Sequence, residues 1–162
     1  MHDAVRAARE LLRDVTPLKT DCGKVCSARC CRSLEGEETG MLLFPGEEEE
    51  YGNREGWSLR QAAVGTLAVC PGRCARGERP LACRIFPLIP VIRDGEVKAA
   101  ADLRALAVCP LLRQGIRGMD PEFREAVRQA GQLLAAEEEQ RAFLEKLTAE
   151  QDALKELRAR FR

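Results

Sequence analysis

The sequence is short of histidine and of aromatic side chains. Its 162 residues include one histidine, His2, with one tryptophan, one tyrosine and five phenylalanines. A single histidine beside the start of the chain argues against mixed cysteine–histidine zinc sites, and against Ser–His–Asp or Cys–His catalysis. A hydrophobic core with so few large aromatic rings gains stability from another source, and a bound metal is one such source.

The sequence also lacks an excess of charge and any long apolar run. Lysine plus arginine and aspartate plus glutamate both number 26, so no nucleic-acid partner is expected. No stretch approaches the roughly 18 apolar residues of a membrane span. The first residues, Met1 to Arg6, do not resemble a secretion signal. We therefore expect a cytoplasmic protein with no membrane partner, whose cysteines are metal ligands or catalysts rather than disulfides.

What the chain has instead is cysteine, in clusters. The eight cysteines are Cys22, Cys26, Cys30, Cys31, Cys70, Cys74, Cys83 and Cys109. A gap of three residues between cysteines occurs three times, which packing alone would not produce. Thiolates this close in sequence can converge on a soft metal ion or an iron–sulfur cluster, with Cys83 and Cys109 as distant ligands. Eight ligands allow two four-cysteine sites, or one such site with spare thiols.

The adjacent pair Cys30–Cys31 restricts these arrangements. Neighbouring side chains point about 100° apart on a helix and to opposite faces of a strand. Both thiols reaching one mononuclear ion would strain the backbone. Either the two cysteines serve two centres, or one binds a multi-iron cluster while the other packs or reacts.

Hydrophobic periodicity predicts a mostly α fold with a small β-hairpin. The segments expected to be helical are 3–15, 47–51, 58–67 (or ending sooner at Gly65) and 120–162, the last as one long helix or as two or three shorter ones. If 22–31 is helical, Cys22, Cys26 and Cys30 lie on one stripe. Extended structure is expected at 41–44 and in a hairpin over 85–101. Asp120 is a good N-cap, Thr148 marks a candidate break in the C-terminal helices, and Asp94–Gly95 is a hairpin turn. The acidic run Glu47 to Glu50 is interpreted as a solvated helix face.

This pattern predicts that the chain has two parts. Residues 1–118 are predicted to form a cysteine-rich, metal-centred domain that includes the N-terminal helix. Residues 119–162 are predicted to form a C-terminal helical extension.

Arginines accompany the cysteines closely. They are Arg29, Arg32, Arg73, Arg76, Arg79 and Arg84. A four-thiolate zinc or [4Fe–4S] centre carries negative charge, and nearby guanidinium groups offset it and donate hydrogen bonds to sulfur. We therefore predict that Arg79 and Arg84 support the cysteine ligands. Asp102 is the carboxylate that we consider as an extra ligand.

The order of these residues resembles the YkgJ-type cysteine-cluster family (CxxxCxxCC type), a zinc- or iron-chelating domain. The resemblance spans about residues 20 to 112, and its most specific part is Arg-Pro-Leu-Ala-Cys-Arg-Ile-Phe-Pro at 79–87. The three residues between Cys26 and Cys30 are a departure, since the family often has two. The resemblance implies a cysteine-bound metal centre, because relatives are described as iron–sulfur proteins or zinc chelators. A similar cluster occurs in flagellin lysine methylases.

The favoured function is therefore a metal-binding protein that holds an iron–sulfur cluster, [4Fe–4S] favoured, or zinc through the eight cysteines, in a structural or redox role. One alternative is a cluster-dependent oxidoreductase or protein-modification enzyme, similar to a lysine methylase, so whether the protein is an enzyme stays open. Another is a helical interaction module with structural zinc. It would bind a protein partner or a second copy through Leu147, Leu154 and Phe161, which keep a seven-residue step.

Overall fold

Helices and two small antiparallel sheets make up the computed structural model, which describes residues 1–32, 40–72 and 74–161. About 53% of these described residues are helical, with the 3₁₀ helices included, and 16% are in strands. The α-helices are α1 (Asp3–Leu11), α2 (Cys22–Cys26), α3 (Glu48–Gly52), α4 (Leu81–Ile85), α5 (Pro121–Ala135) and α6 (Glu138–Arg160). The strands are β1 (Gly40–Leu42), β2 (Ser58–Ala62), β3 (Gly65–Val69), β4 (Leu88–Arg93) and β5 (Glu96–Ala101). Short 3₁₀ helices cover Arg29–Cys31, Arg76–Glu78, Leu103–Ala107, Pro110–Gln114 and Ile116–Gly118.

The three-stranded sheet corrects the predicted fold class, which had one hairpin only. Its order is β1–β3–β2, and the segment 58–67 that was predicted as a helix is the hairpin of β2 and β3. Gly65 takes a φ of +97°, which reverses the chain where a helix would continue. Ala68 on β3 is buried with Leu43 and Tyr51 in a small second core, so tertiary packing decides the conformation.

The second sheet is the predicted hairpin of β4 and β5. Asp94 and Gly95 both have positive φ, 54° and 77°, the backbone of a tight two-residue turn, and Ile92 pairs with Val97 beside it. The prediction of this hairpin is confirmed.

Helix α1 is shorter than the predicted 3–15. Val5 and Ala8 on its apolar face are buried, as the periodicity indicated. The carbonyls that follow its last turn are bound by an arginine side chain: Arg76 donates to the carbonyl oxygens of Arg13 at 2.9 Å and Val15 at 2.5 Å. These bonds satisfy carbonyl groups that a further helical turn would have used.

The C-terminal helices begin and break at specific side chains. Asp120 caps α5, accepting from the backbone N–H of Glu122 at 2.8 Å. The break falls at 136–137 and not near Thr148, and Glu137 accepts there from the backbone N–H of Ala4 at 3.0 Å. Thr148 instead bridges α6 and β4, because its hydroxyl donates to the carbonyl of Leu144 and accepts from the backbone N–H of Ile92.

One hydrophobic core joins the two parts predicted from the sequence. Residues of α1, α4, β4, α5 and α6 share it, from Ala4 to Leu147. Contact between helix and sheet is close at Gly131 of α5, where an added Cβ would lie 2.5 Å from Pro90 and 2.6 Å from Val97. The description as a metal-centred domain is therefore corrected: apolar side chains, not a metal, lie at the centre of this fold.

Among the helices of the described residues, none has both the length and the apolar character needed to cross a bilayer.

Candidate metal centre

All eight cysteines are free thiols. Seven are half-buried and Cys109 is buried. They belong to four segments: α2 with the 3₁₀ turn after it, the turn that follows β3, helix α4, and the start of the 3₁₀ helix Pro110–Gln114. The site must therefore be assembled by the fold from distant parts of the chain.

The first cysteine segment is bent rather than straight. Asp21 caps α2 by accepting from the backbone N–H of Gly23 at 3.1 Å. Ser27 and Ala28 then adopt left-handed backbone conformations, with φ of 54° and 52°, and end the helix. A continuous helix over 22–31, which would put Cys22, Cys26 and Cys30 on one stripe, therefore does not form.

The bend places Cys30 and Cys31 side by side in a 3₁₀ turn. The N–H of Cys31 donates to the carbonyl of Ala28 at 2.8 Å, and the two Sγ atoms are 3.9 Å apart. The thiol–thiol contact raises the pKa of Cys30 and lowers the pKa of Cys31 to about 6. One sulfur of the pair therefore takes up negative charge more readily than the other.

Gly72, two residues after Cys70, rests directly on this 3₁₀ turn. Gly72 has a φ of +77°, and a Cβ on it would lie 3.1 Å from the carbonyl oxygen of Cys31. The close approach places the second cysteine pair beside the first segment. Burial raises the pKa of Cys74, and the thiols of Cys31 and Cys70 raise it further.

Helix α4 brings Cys83 to the same place. Burial raises the pKa of Cys83 well above its ordinary value, and the nearby thiols of Cys74, Cys31 and Cys70 add to the shift. The helix is held at its start by Glu47, whose carboxylate accepts from the backbone N–H of Leu81 at 2.9 Å.

Cys109 is the last cysteine in the sequence and precedes the 3₁₀ helix Pro110–Gln114. Its backbone N–H donates to the carbonyl of Ala105 at 2.8 Å, and its thiol lies at the edge of the main core. Burial raises its pKa, and the thiol of Cys26 contributes. Burial also raises the pKa of Cys22, followed by the effects of Cys26, Asp21 and Cys109.

Arg79, predicted from the sequence as a supporting residue, lies near the thiols of Cys74 and Cys31. Burial lowers the pKa of Arg79, but Cys74, Cys31 and Asp21 outweigh burial and raise it overall. Its Nε atom is buried and has no hydrogen-bond partner within the described residues. The guanidinium is thus a cation placed between thiols.

Arg84 has a different position. Its guanidinium donates to the carbonyl oxygens of Arg9 at 2.9 Å, Arg79 at 2.9 Å and Gly77 at 2.6 Å. The bond to Arg9 joins α4 to α1 and the other two hold the segment just before α4, so the side chain supports the backbone around Cys83. The other arginines differ again: Arg29 and Arg32 are exposed, and Arg73 lies outside the described residues.

The acidic residues of interest also have specific roles. Asp102 is buried, and its carboxylate accepts from Arg104 at 2.9 Å and from Gln151 at 3.1 Å, which occupies it away from the cysteines. Glu47 is fully buried, which corrects its interpretation as part of a solvated face. Sequence reasoning missed it, because its neighbours Glu48, Glu49 and Glu50 give the segment the composition of a surface.

The donor atoms fit a soft metal, because thiolates are the preferred ligands of zinc and of iron–sulfur clusters. Their spacing is wider than coordination requires. Within residues 1–32, 40–72 and 74–161, no three cysteine, histidine, aspartate or glutamate side chains are arranged to hold a metal ion.

Comparison of the chain with protein-family models, with curated proteins and with solved structures found no match.

Proposed function

We propose that this protein is a metal-binding protein, in which clustered cysteine thiolates hold an iron–sulfur cluster or zinc in a structural or redox role. The observation that supports the proposal is that all eight cysteines are free thiols, with the Cys30 and Cys31 sulfur atoms 3.9 Å apart and Gly72, near Cys70, packed on the carbonyl oxygen of Cys31. The motif resemblance over residues 20–112 supports the same reading. A reducing cytoplasm, which keeps thiols available for metal, belongs to this proposal.

The position of Arg79 supports the proposal on electrostatic grounds. A guanidinium with a buried, unpartnered Nε beside Cys74 and Cys31 would be costly among neutral thiols. Beside metal-bound thiolates, the same group has negative partners and donates charge-assisted hydrogen bonds to sulfur. The position of Arg79 is therefore more favourable when the neighbouring thiols are deprotonated and bound to metal.

The mutual effect of the thiols supports it as well. Burial, followed by the effect of neighbouring thiols, raises the pKa of Cys22, Cys74 and Cys83, so these three metal-free thiols resist ionisation. A bound cation removes that penalty, because it supplies the positive charge that each thiolate needs. Iron–sulfur is favoured over zinc, since the adjacent pair Cys30–Cys31 suits a multi-iron centre.

The test is anaerobic purification followed by elemental analysis, acid-labile sulfide analysis and a visible absorption spectrum. We expect bound iron with sulfide and a brown colour, or bound zinc with no colour. A variant with all four cysteines of the first segment changed to serine is the matched control and should retain much less metal. Absence of zinc and iron, both as isolated and after reconstitution with zinc or with iron and sulfide, would contradict the proposal.

The cluster-dependent enzyme and the helical interaction module stay predictions.

A further inference from the structure

The β4–β5 hairpin has two outer edges, one on each strand. Its ladder begins with the pair of Arg93 and Glu96 beside the two-residue turn. In an antiparallel ladder, pairs that exchange hydrogen bonds alternate with pairs whose backbone groups point outward, and a two-residue turn is flanked by a bonded pair. The backbone groups of Glu96, Lys98 and Ala100 therefore face β4. The alternate residues point their backbone groups to the outer edge of β5, and they are Val97, Ala99 and Ala101.

Two hydrogen bonds outside the ladder agree with this alternation. The N–H of Asp102 donates to the carbonyl of Pro87 at 3.0 Å, as the next bonded pair requires. The N–H of Ile92 points away from β5 and donates to the hydroxyl of Thr148 on α6 at 3.0 Å. The outer edge of β4 is therefore bound by α6.

The outer edge of β5 has no such partner. Within residues 1–32, 40–72 and 74–161, no hydrogen bond reaches the backbone N–H or C=O groups of Val97, Ala99 or Ala101. All three residues are partly exposed, and the register of β5 is continuous, without a bulge. A row of unpaired donors and acceptors on a regular strand is a template for one further strand.

A groove of about 620 Å³ lies along the start of this edge. Val97 and Lys98 of β5 line it, together with Gln132 and Ala135 of α5. The groove is thus bounded by an edge strand and by a helix that packs on the same sheet. An extended segment in it would pair with the edge and place its side chains alternately toward the helix and toward the opposite face of the sheet.

The charges that line the groove are mainly positive. Three of its four charged residues are cations, Lys98, Arg128 and Arg141, and the fourth is Glu96. Lys98 pairs with Glu96 at 3.5 Å and Arg128 pairs with Glu125 at 2.5 Å, whereas Arg141 is exposed and has no side-chain bond to the described part of the chain. The groove therefore favours an acidic occupant. It disfavours a second copy of β5, because the cations of both copies would then lie on one sheet.

We propose that the outer edge of β5 is a docking site for an extended, acidic peptide segment of a partner protein, which joins the sheet as an antiparallel strand beside α5. The outward backbone groups of β5 would bind the peptide backbone, and the three cations of the groove would bind its carboxylates. No cysteine lines the groove, so this docking function is additional to metal binding.

The test uses the full-length protein and two short fluorescent peptides with blocked ends, one alternating valine with glutamate and the other valine with lysine. We expect fluorescence anisotropy to show binding of the glutamate peptide, and an affinity for the lysine peptide that is at least about tenfold lower. Amide hydrogen exchange, followed by NMR, reports the position. The amides of Val97, Ala99 and Ala101 should exchange fast in the free protein and slowly with the glutamate peptide, whereas those of Lys98 and Ala100 should be slow in both.

Two substitutions test the backbone and the charge separately. Ala99→Pro removes an outward N–H without breaking a bond to β4, and proline is tolerated where the N–H side of an edge strand faces solvent. It should weaken binding of the glutamate peptide about tenfold, while Ala99→Ser, the matched control, keeps the N–H and the native affinity. Arg141→Glu leaves the backbone unchanged and should also weaken binding about tenfold, which keeps the test decisive if Ala99→Pro does not fold.

Several results would overturn the docking site. They are failure of the glutamate peptide to bind, equal affinity for the two peptides, and binding that leaves the outward amides of β5 unprotected. Native affinity in Arg141→Glu would overturn the role of charge and with it the acidic partner. Self-association of the free protein, detected by sedimentation and accompanied by protection of the outward amides, would show that a second copy occupies the edge instead.

Discussion

The substitution Arg84→Lys separates support of the backbone from support of the metal. The guanidinium of Arg84 bonds three carbonyl oxygens, those of Arg9, Arg79 and Gly77. A lysine keeps the positive charge but has one compact ammonium group, which cannot span three acceptors set this far apart. The change therefore removes about two hydrogen bonds and leaves the buried carbonyl at the end of α1 at risk of having no donor.

The expected cost follows from those bonds. A net value of about 1 kcal/mol for each lost hydrogen bond gives a loss of about 2 kcal/mol in the free energy of unfolding. The assay is urea unfolding followed by far-ultraviolet circular dichroism, in which the midpoint should fall and the slope should stay constant. Metal affinity, measured by competition with a chromophoric chelator, should change little in protein that is fully folded.

Arg79→Lys is the matched control, because it changes the neighbouring arginine in the same way. Its guanidinium faces Cys74 and Cys31, so the expected result is reversed: metal affinity falls by about 10- to 100-fold and the urea midpoint of metal-free protein changes little. An unchanged urea midpoint for Arg84→Lys, together with a large loss of metal affinity, would refute this assignment of roles.

Two further predictions concern buried positions. Gly131→Ala should lower the free energy of unfolding by about 1–2 kcal/mol, because the clash of the added Cβ with Pro90 costs more than the gain in helix propensity. Gly77→Ala is the control, and its free energy of unfolding should stay within about 0.5 kcal/mol of the native value. Burial raises the pKa of Glu47 from 4.5 to about 7, so the stability this group contributes is complete below pH 4.5 and is lost as pH rises through 7. The difference amounts to about 3 kcal/mol, and urea titrations across that range should show it in the native protein and not in Glu47→Gln. Equal pH dependence in the two proteins would contradict that account.

Local signals predicted the elements whose structure is decided locally. The Asp94–Gly95 turn and the Asp120 cap both depend on residues a few positions away, and both are present. The segment 58–67 has apolar residues at helical spacing, but its structure depends on contacts with β1 and on the backbone of Gly65. Periodicity cannot report such contacts, so the sequence predicted a helix where a hairpin forms.

The candidate site was likewise predictable only in part from the sequence. The spacing of the cysteines identifies them as one group of candidate ligands. The nearness of Arg79 to them is visible in the sequence as well. The relative placement of the cysteine segments is not, because it depends on the left-handed bend at Ser27 and Ala28 and on the approach of Gly72 to Cys31. Neither residue type forces that geometry, which the surrounding fold imposes.

The hydrogen bond between Ala4 and Glu137 joins residues 133 positions apart, and Asp120 donates likewise to the carbonyl of Pro17. Helix α1 contacts α4 as well, but its packing is complete only when the ribosome has made α5 and the start of α6. At the usual pace of translation, that interval is on the order of ten seconds. During it, the cysteines that follow α1 have left the exit tunnel in a nascent chain without its core, exposed to metal donors and to oxidants alike. Under the proposed function, the order of synthesis therefore sets metal delivery in competition with oxidation before the core has formed.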